Sequence, residues 1–267
     1  MDMKSRTVYI FAMCMALALP QAGRAQGTAN DIETEYGGRF SVQLDYKLKK
    51  GLHLTADAEL RLQDNFNTVG RYNAGLGVDY KINGFLKAGA GYTYISARNS
   101  QDEWNPRHRL YAELTGTLKS GDWRLSLKEK MQLTHRDEVN VYQTTPNALT
   151  LKSRLKAEYK GFTTVDPYIF VEARTVLNDP ACSANWNGSA YSDYSFTGYN
   201  DVYFNRLRGA IGAEWKIDKH NSLDISAMLD YCYDKDIDTN KEGTKLKSLT
   251  YDRTIAPQLS IGYVYSF

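Results

Sequence analysis

From Arg39 to Leu48 the chain reads R-F-S-V-Q-L-D-Y-K-L, with Phe40, Val42, Leu44, Tyr46 and Leu48 on one face and Ser41, Gln43, Asp45 and Lys47 on the other. A two-residue period is the signature of an extended strand with one apolar face. After Lys49-Lys50-Gly51 the segment Leu52 to Gln63 repeats the pattern, setting Leu52, Leu54, Ala56, Ala58, Leu60 and Leu62 against His53, Thr55, Asp57, Glu59, Arg61 and Gln63. These unbroken runs match the roughly 9–11 residues that cross a bilayer as a tilted strand. The strands of a soluble sandwich are shorter, about five or six residues.

The same alternation predicts strands near 71–81, 85–95, 109–119, 123–135, 149–159, 165–175, 203–217, 222–234 and 259–267. Asn83-Gly84 joins the first two of these and is a strong hairpin signal. Connections alternate in length: short turns follow every second strand, while 64–70, 97–108, 136–148, 176–202 and 235–253 read as longer, polar loops. Short periplasmic turns alternating with long extracellular loops define an outer-membrane barrel. The expectation is therefore an all-β fold, a transmembrane antiparallel up-and-down β-barrel of about twelve strands occupying residues 26–267 as a single domain. Eleven strands are clear, and bacterial single-chain barrels are even-numbered. Residues 28–36, ending at Gly37-Gly38, would supply a twelfth, upward strand; ten strands and a long bent first strand over 32–48 are the alternatives.

Lys4 and Arg6, an apolar run from Val8 to Leu19, and the small-residue stretch before Ala25 have the order of a secretory signal peptide, residues 1–25. Its removal takes three basic residues and one acidic residue from the 33 and 31 of the full chain, leaving 30 of each. A neutral mature chain gives no reason to expect a nucleic-acid partner. The expected partners are outer-membrane lipid and lipopolysaccharide, the barrel-assembly machinery and small solutes, and the expected location is the outer membrane.

The final stretch, Leu259 to Phe267, carries Leu259, Ile261, Tyr263, Tyr265 and Phe267 on one face. It resembles the C-terminal signature of bacterial outer-membrane barrels, whose closing strand ends in an aromatic residue; the resemblance assigns Tyr263, Tyr265 and Phe267 to recognition by the assembly machinery. Arg71 to Tyr94 and Trp104 to Leu114 (W-N-P-R-H-R-L-Y-A-E-L) are similar to a family of Gram-negative outer-membrane barrels catalogued as a domain of unknown function. That resemblance implies location and fold and brings no catalytic or binding residue with it.

The alternation makes the interior densely charged. A basic ladder, Arg124, Lys128, Lys130, Lys152, Arg154 and Lys156, occupies two adjacent strands, while Asp57, Glu59, Asp224 and Asp230 lie on others; Arg61, Arg71, Arg109, Arg174, Arg206 and Arg208 also face inward. A lipid-facing Lys or Arg at mid-membrane costs about 2–4 kcal/mol, which accounts for their near-absence from outward positions. Glu129 is the outward exception, and a bulge would turn it inward. Two readings follow: walls of opposite sign select small anionic or zwitterionic solutes in a narrow pore, or the charges pair across the lumen and close it.

An outer-membrane lipid hydrolase would need a Ser/His pair on the outer surface. His108, His135 and Ser153 are the outward candidates, but the tight His-x-Ser-Asn motif is absent and no enzymatic chemistry is expected. The four His are scattered without ligand spacing, so neither metal nor cofactor is expected. Cys182 and Cys232 form a disulfide at the outer rim or remain two thiols. The aromatics of 176–202, Trp186, Tyr191, Tyr194, Phe196 and Tyr199, either bind glycans or fold in to constrict a pore, or else pack at the membrane interface. The functional expectation is a narrow passive channel or a closed structural barrel, with a surface-binding barrel and the hydrolase as alternatives.

Overall fold

The computed structural model describes residues 28–99, 101–137 and 139–267, with side chains from Ile32 onward. The leader at 1–25 lies outside the described residues. The strands are β1 (Thr28–Thr34), β2 (Gly37–Lys49), β3 (Leu52–Gln63), β4 (Thr68–Lys81), β5 (Leu86–Arg98) and β6 (Trp104–Ser120), followed by β7 (Trp123–Arg136), β8 (Asn147–Tyr159), β9 (Val165–Trp186), β10 (Tyr191–Lys216), β11 (Asn221–Thr239) and β12 (Leu246–Ser266). Each strand from β2 to β12 pairs antiparallel with its sequence neighbour. At Asn83-Gly84 the expected hairpin forms, and the Asn83 side chain accepts hydrogen bonds from the backbone N–H groups of Phe85 and Leu86, both at 2.9 Å.

The barrel closes with eleven strands, through a parallel β2–β12 pair running from Gly37 opposite Gln258 to Asp45 opposite Ser266. The expected twelve strands are all present, but only eleven close the ring and β1 is the twelfth. Residues 28–34 do form a strand, but not the upward partner of 39–48. β1 continues the line of β2 along the outer half of β12, also parallel, from Thr28 opposite Thr250 to Thr34 opposite Ile255. Gly37-Gly38 is accordingly no turn: both residues are extended members of β2, and a Cβ on Gly37 would stand 2.8 Å from the Leu62 carbonyl. The alternative of one bent strand over 32–48 is met only in its line: the strand breaks at 35–36, and its start pairs along β12 instead of tucking into the barrel. This arrangement leaves Thr28 at the outer end of the barrel and Phe267 at the inner.

Burial is the reverse of a soluble fold. Outward Leu76 and Ile211 are 65% and 67% exposed, whereas inward Asp166, Arg208 and Glu172 are 0%, 4% and 4% exposed. Apolar residues sheathe a polar interior, as a lipid-spanning barrel requires.

Two of the expected loops are mostly strand. β9 and β10 extend to a tip at 187–190, and β11 and β12 to a tip at 240–245, so that two long hairpins rise above the rim. Alternation fades in these extensions because neither face is in lipid. Residues 139–146 pack between them: the Gln143 amide donates to Asp238 (2.9 Å), Tyr199 OH donates to the Val141 carbonyl (2.9 Å), and the Tyr142 and Phe196 rings meet edge to face at 5.5 Å. Phe196 and Tyr199 therefore pack against Tyr142 and Val141 of this loop rather than in a membrane girdle, while the Trp186 and Tyr191 rings meet at the hairpin tip, tilted by 50°.

Candidate functional site

Strand pairing brings like charges side by side on the lumen wall. Arg39 stands opposite Arg61 and Arg61 opposite Arg71, giving three guanidinium groups on β2, β3 and β4. A second row runs Lys130, Lys152, Arg174 and Arg206 across β7 to β10, and Arg107 on β6 faces Arg136 on β7. Like charges directly opposite destabilise a sheet, so these rows work against the fold.

Compensation is local and incomplete. Lys128 and Lys130 both reach Glu113, at 3.0 and 3.1 Å, and Lys156 reaches Glu158 at 3.1 Å while Arg124 lies 3.5 Å from the same carboxylate. The best-buried network joins Arg154 to Glu172 (2.5 Å), Glu172 to Arg206 (3.1 Å), and Arg208 to Asp230 through two hydrogen bonds of 2.5 and 2.6 Å. Arg39 reaches Asp230 at 3.5 Å over β12, where the residue opposite Asp230 is the small Ala256. Every one of these pairs joins positions close together around the wall. Within 4.0 Å the basic ladder thus pairs with Glu113, Glu158 and Glu172, while Asp57 feels Lys130, and Asp224 feels Lys156 and Arg154, only at longer range. Glu59 accepts from Arg61 and Asn73, both at 2.6 Å; Asp224 accepts from Tyr168 OH at 2.8 Å; Asp57 lies against Gly75.

Cations also lie flat on aromatic rings: Lys130 over Tyr111 at 3.5 Å, Lys156 over Tyr168 at 4.0 Å and Arg154 over Phe170 at 4.3 Å. Tyr111 itself lies along the wall, because Gly91 has no side chain: a Cβ there would stand 2.4 Å from the Tyr111 hydroxyl.

Among the described residues, Lys152 and Arg107 have no carboxylate within 4.0 Å. Arg109 donates to the Thr134 hydroxyl at 2.9 Å, and buried Nε atoms of Arg136, Arg174 and Arg206 have no acceptor. Basic groups therefore outnumber the carboxylates that reach them in this part of the lumen, where Glu172 serves Lys152 and Arg206 and Asp179 serves Arg136. Arg107 and Arg136 escape a reading of the sequence that starts β6 too late and stops β7 too early; the alternation continues two residues beyond Arg109 and Thr134, and that was the available signal.

The other candidates are not brought together. Cys182 and Cys232 are free thiols, because Cys182 on β9 faces Phe196 while Cys232 on β11 faces Arg206, far apart along the intervening β10. Ser153 donates to Glu129 at 2.6 Å, and His135 lies at the rim against Asn147 (2.8 Å) and opposite His108, so no Ser/His pair is assembled. The β6–β7 and β7–β8 registers contain no bulge, so Glu129 remains outward, with Ser153 satisfying it. At the closing end the Phe267 N–H donates to the Asp45 carbonyl at 2.9 Å, its ring meets Tyr46 and Tyr265, and Tyr263 OH donates to Asn221.

An apolar sheath around a charged lumen, closed by continuous strand pairing, defines a transmembrane β-barrel of the outer membrane, channel-like in form. The chain belongs to the family described as Protein of unknown function (DUF2490), whose model matches residues 40–241. No curated protein sequence matches it. Similar solved structures include the NanC porin (10% identity, TM-score 0.43, covering 87% of this chain and 99% of that one). OmpT of Vibrio cholerae is 13% identical with a TM-score of 0.36, covering 76% of this chain and 60% of its own. An anion-selective porin from Comamonas acidovorans is also 13% identical, with a TM-score of 0.34 and coverage of 79% and 53%.

Proposed function

We propose that the mature barrel is a passive channel for small anionic solutes, exported with residues 1–25 as its leader and acting without enzymatic chemistry. The observation that carries this reading is the excess of basic side chains in the outer lumen, with Arg107 in no ion pair within 4.0 Å among the described residues and Lys152 sharing Glu172 with Arg154, Arg206 and Arg208. A barrel closed by its own ion pairs would neutralise its buried charges, because an unpaired charge away from water is strongly unfavourable. Rows such as Lys130, Lys152, Arg174 and Arg206 are tolerable where water and mobile anions fill the space between them. The local pairing of the ladder favours the same reading, since these side chains lie along the wall rather than bridging it.

The test is single-channel recording of residues 26–267 refolded into a planar bilayer under a salt gradient. Discrete steps with a reversal potential on the anion side are expected, and Arg107→Gln with Lys152→Gln should move that potential toward zero. A folded barrel that never conducts, or that prefers cations, would overturn the reading.

A further inference from the structure

We infer that the lumen holds a built binding station for a small dianion, a phosphate or a pair of carboxylates on one solute, at the junction of β1 and β2. The inference deepens the anion-channel reading and rests on it for the solute's route.

A cavity of about 290 Å³ opens there on the inner wall, lined by Arg39, Arg61, Arg71, Arg98 and Arg107 together with Gln63. Arg98 is held by Asp102 at 3.0 Å on the outward row, so four guanidinium groups, those of Arg39, Arg61, Arg71 and Arg107, crowd the space with Glu59 as the carboxylate shared by the first three, and their mutual repulsion favours a further anion. Their protein partners leave donors over. Arg61 uses Nε on Glu59 (2.6 Å) and Arg71 uses Nε on Asn73 (2.8 Å), while Arg71 Nη2 is buried without an acceptor. Arg107 has no acceptor at all among the described residues. A guanidinium fork matches the two oxygens of a carboxylate or phosphate, a geometry that lysine does not offer.

The outer lip of the cavity is fixed in place. Asp64, Asn65 and Phe66 are three consecutive residues in the left-handed region, with φ of 51°, 58° and 69°. Such backbone persists only where its surroundings impose it, and it clusters at binding sites. Here the surroundings are the break between β1 and β2. Glu35 accepts from the Asp64 N–H at 3.2 Å, the Asn65 N–H donates to the Tyr36 carbonyl at 3.1 Å, and the Phe66 ring lies against Gly38. Glu35 is the one carboxylate on the lining, and it is occupied by this lip. The volume lies at the lower limit of small-molecule pockets, about 300–1,000 Å³. A compact solute with two negative charges fits; a lipid headgroup anchored in the membrane cannot enter from outside the wall.

The probes are inorganic phosphate and succinate, titrated calorimetrically into the refolded barrel in detergent and chloride-free buffer. Saturable binding of at least one, with a Kd on the order of 0.1–1 mM, is expected. Arg71→Gln and Arg107→Gln should each weaken it about tenfold, the loss of one charge-assisted contact. Lys119→Gln, at the opposite end of the lumen, should leave it unchanged. Arg107 has no partner to lose, so that variant is expected to fold, which heat-modifiable gel migration checks. Which probe binds distinguishes phosphate from paired carboxylates. No saturation with either up to about 20 mM, or equal affinity in the arginine variants, overturns the site. Binding by a barrel that does not conduct would keep the site and remove the channel; a conducting barrel without binding would do the reverse.

Discussion

Asp230→Asn tests the buried network directly. Asp230 accepts two hydrogen bonds from Arg208 at 2.5 and 2.6 Å, has Arg39 at 3.5 Å and Arg206 at 3.9 Å, and its side chain and that of Arg208 are 3% and 4% exposed. Removing its charge leaves Arg206 and Arg208 with Glu172, which is already held by Arg154 at 2.5 Å, and Arg39 with Gln258 at 2.6 Å and no carboxylate within 4.0 Å among the described residues. Breaking such a buried pair from one side costs about 3–5 kcal/mol, because the orphaned charge stays desolvated. With an m-value of about 3 kcal/mol/M, the urea midpoint falls by about 1–1.7 M. Replacing both Asp230 and Arg208 by Met should cost far less than the single change, since no charge of that pair is then left behind. Equilibrium unfolding followed by Trp fluorescence in lipid vesicles measures both. A shift under about 1 kcal/mol for Asp230→Asn would mean that water reaches the pair, and the argument from desolvation would fail.

Three further outcomes are expected. Glu129 lies midway along the outward row from Trp123 to His135 on β7, so Glu129→Leu with Ser153→Ala should stabilise the barrel by about 1–2 kcal/mol in the same unfolding assay; a loss of stability would mean that the pair is not in lipid. In the exposed turn after β10, Asp218 is held below the usual carboxylate range by hydrogen bonds from the backbone N–H of His220 and from Asn221. A depressed folded pKa stabilises above the unfolded value and ceases to do so as pH falls through the folded one. Asp218→Ala should therefore weaken the barrel at neutral pH and match the wild type in acid; equal deficits at both would refute the carboxylate's role. Because β1 enters beside the outer half of β12, an epitope inserted before Thr28 should be stained on intact cells, and staining only after permeabilisation would contradict the parallel seam.

Alternation alone determined which face each residue from Phe40 to Leu133 presents, because lipid on one side and water on the other act on every residue of a strand in turn. It also determined the positions of the short turns, such as Asn83-Gly84. The outer hairpins were read as loops because Trp186 to Tyr199 has no lipid face to impose the period. Only the tertiary structure decided how the ring closes: nothing in Gly37 to Asp45 says that its partner is Gln258 to Ser266, nor that the two run parallel. The same holds for the charges. Arg39 is visible as an inward residue, but its meeting with Asp230 over Ala256, its place beside Arg61 and Arg71, and the separation of Cys182 from Cys232 depend on register. Facing is a local property of two-residue geometry, whereas register is set by hydrogen bonds between segments distant in sequence, and a lumen is made of registers.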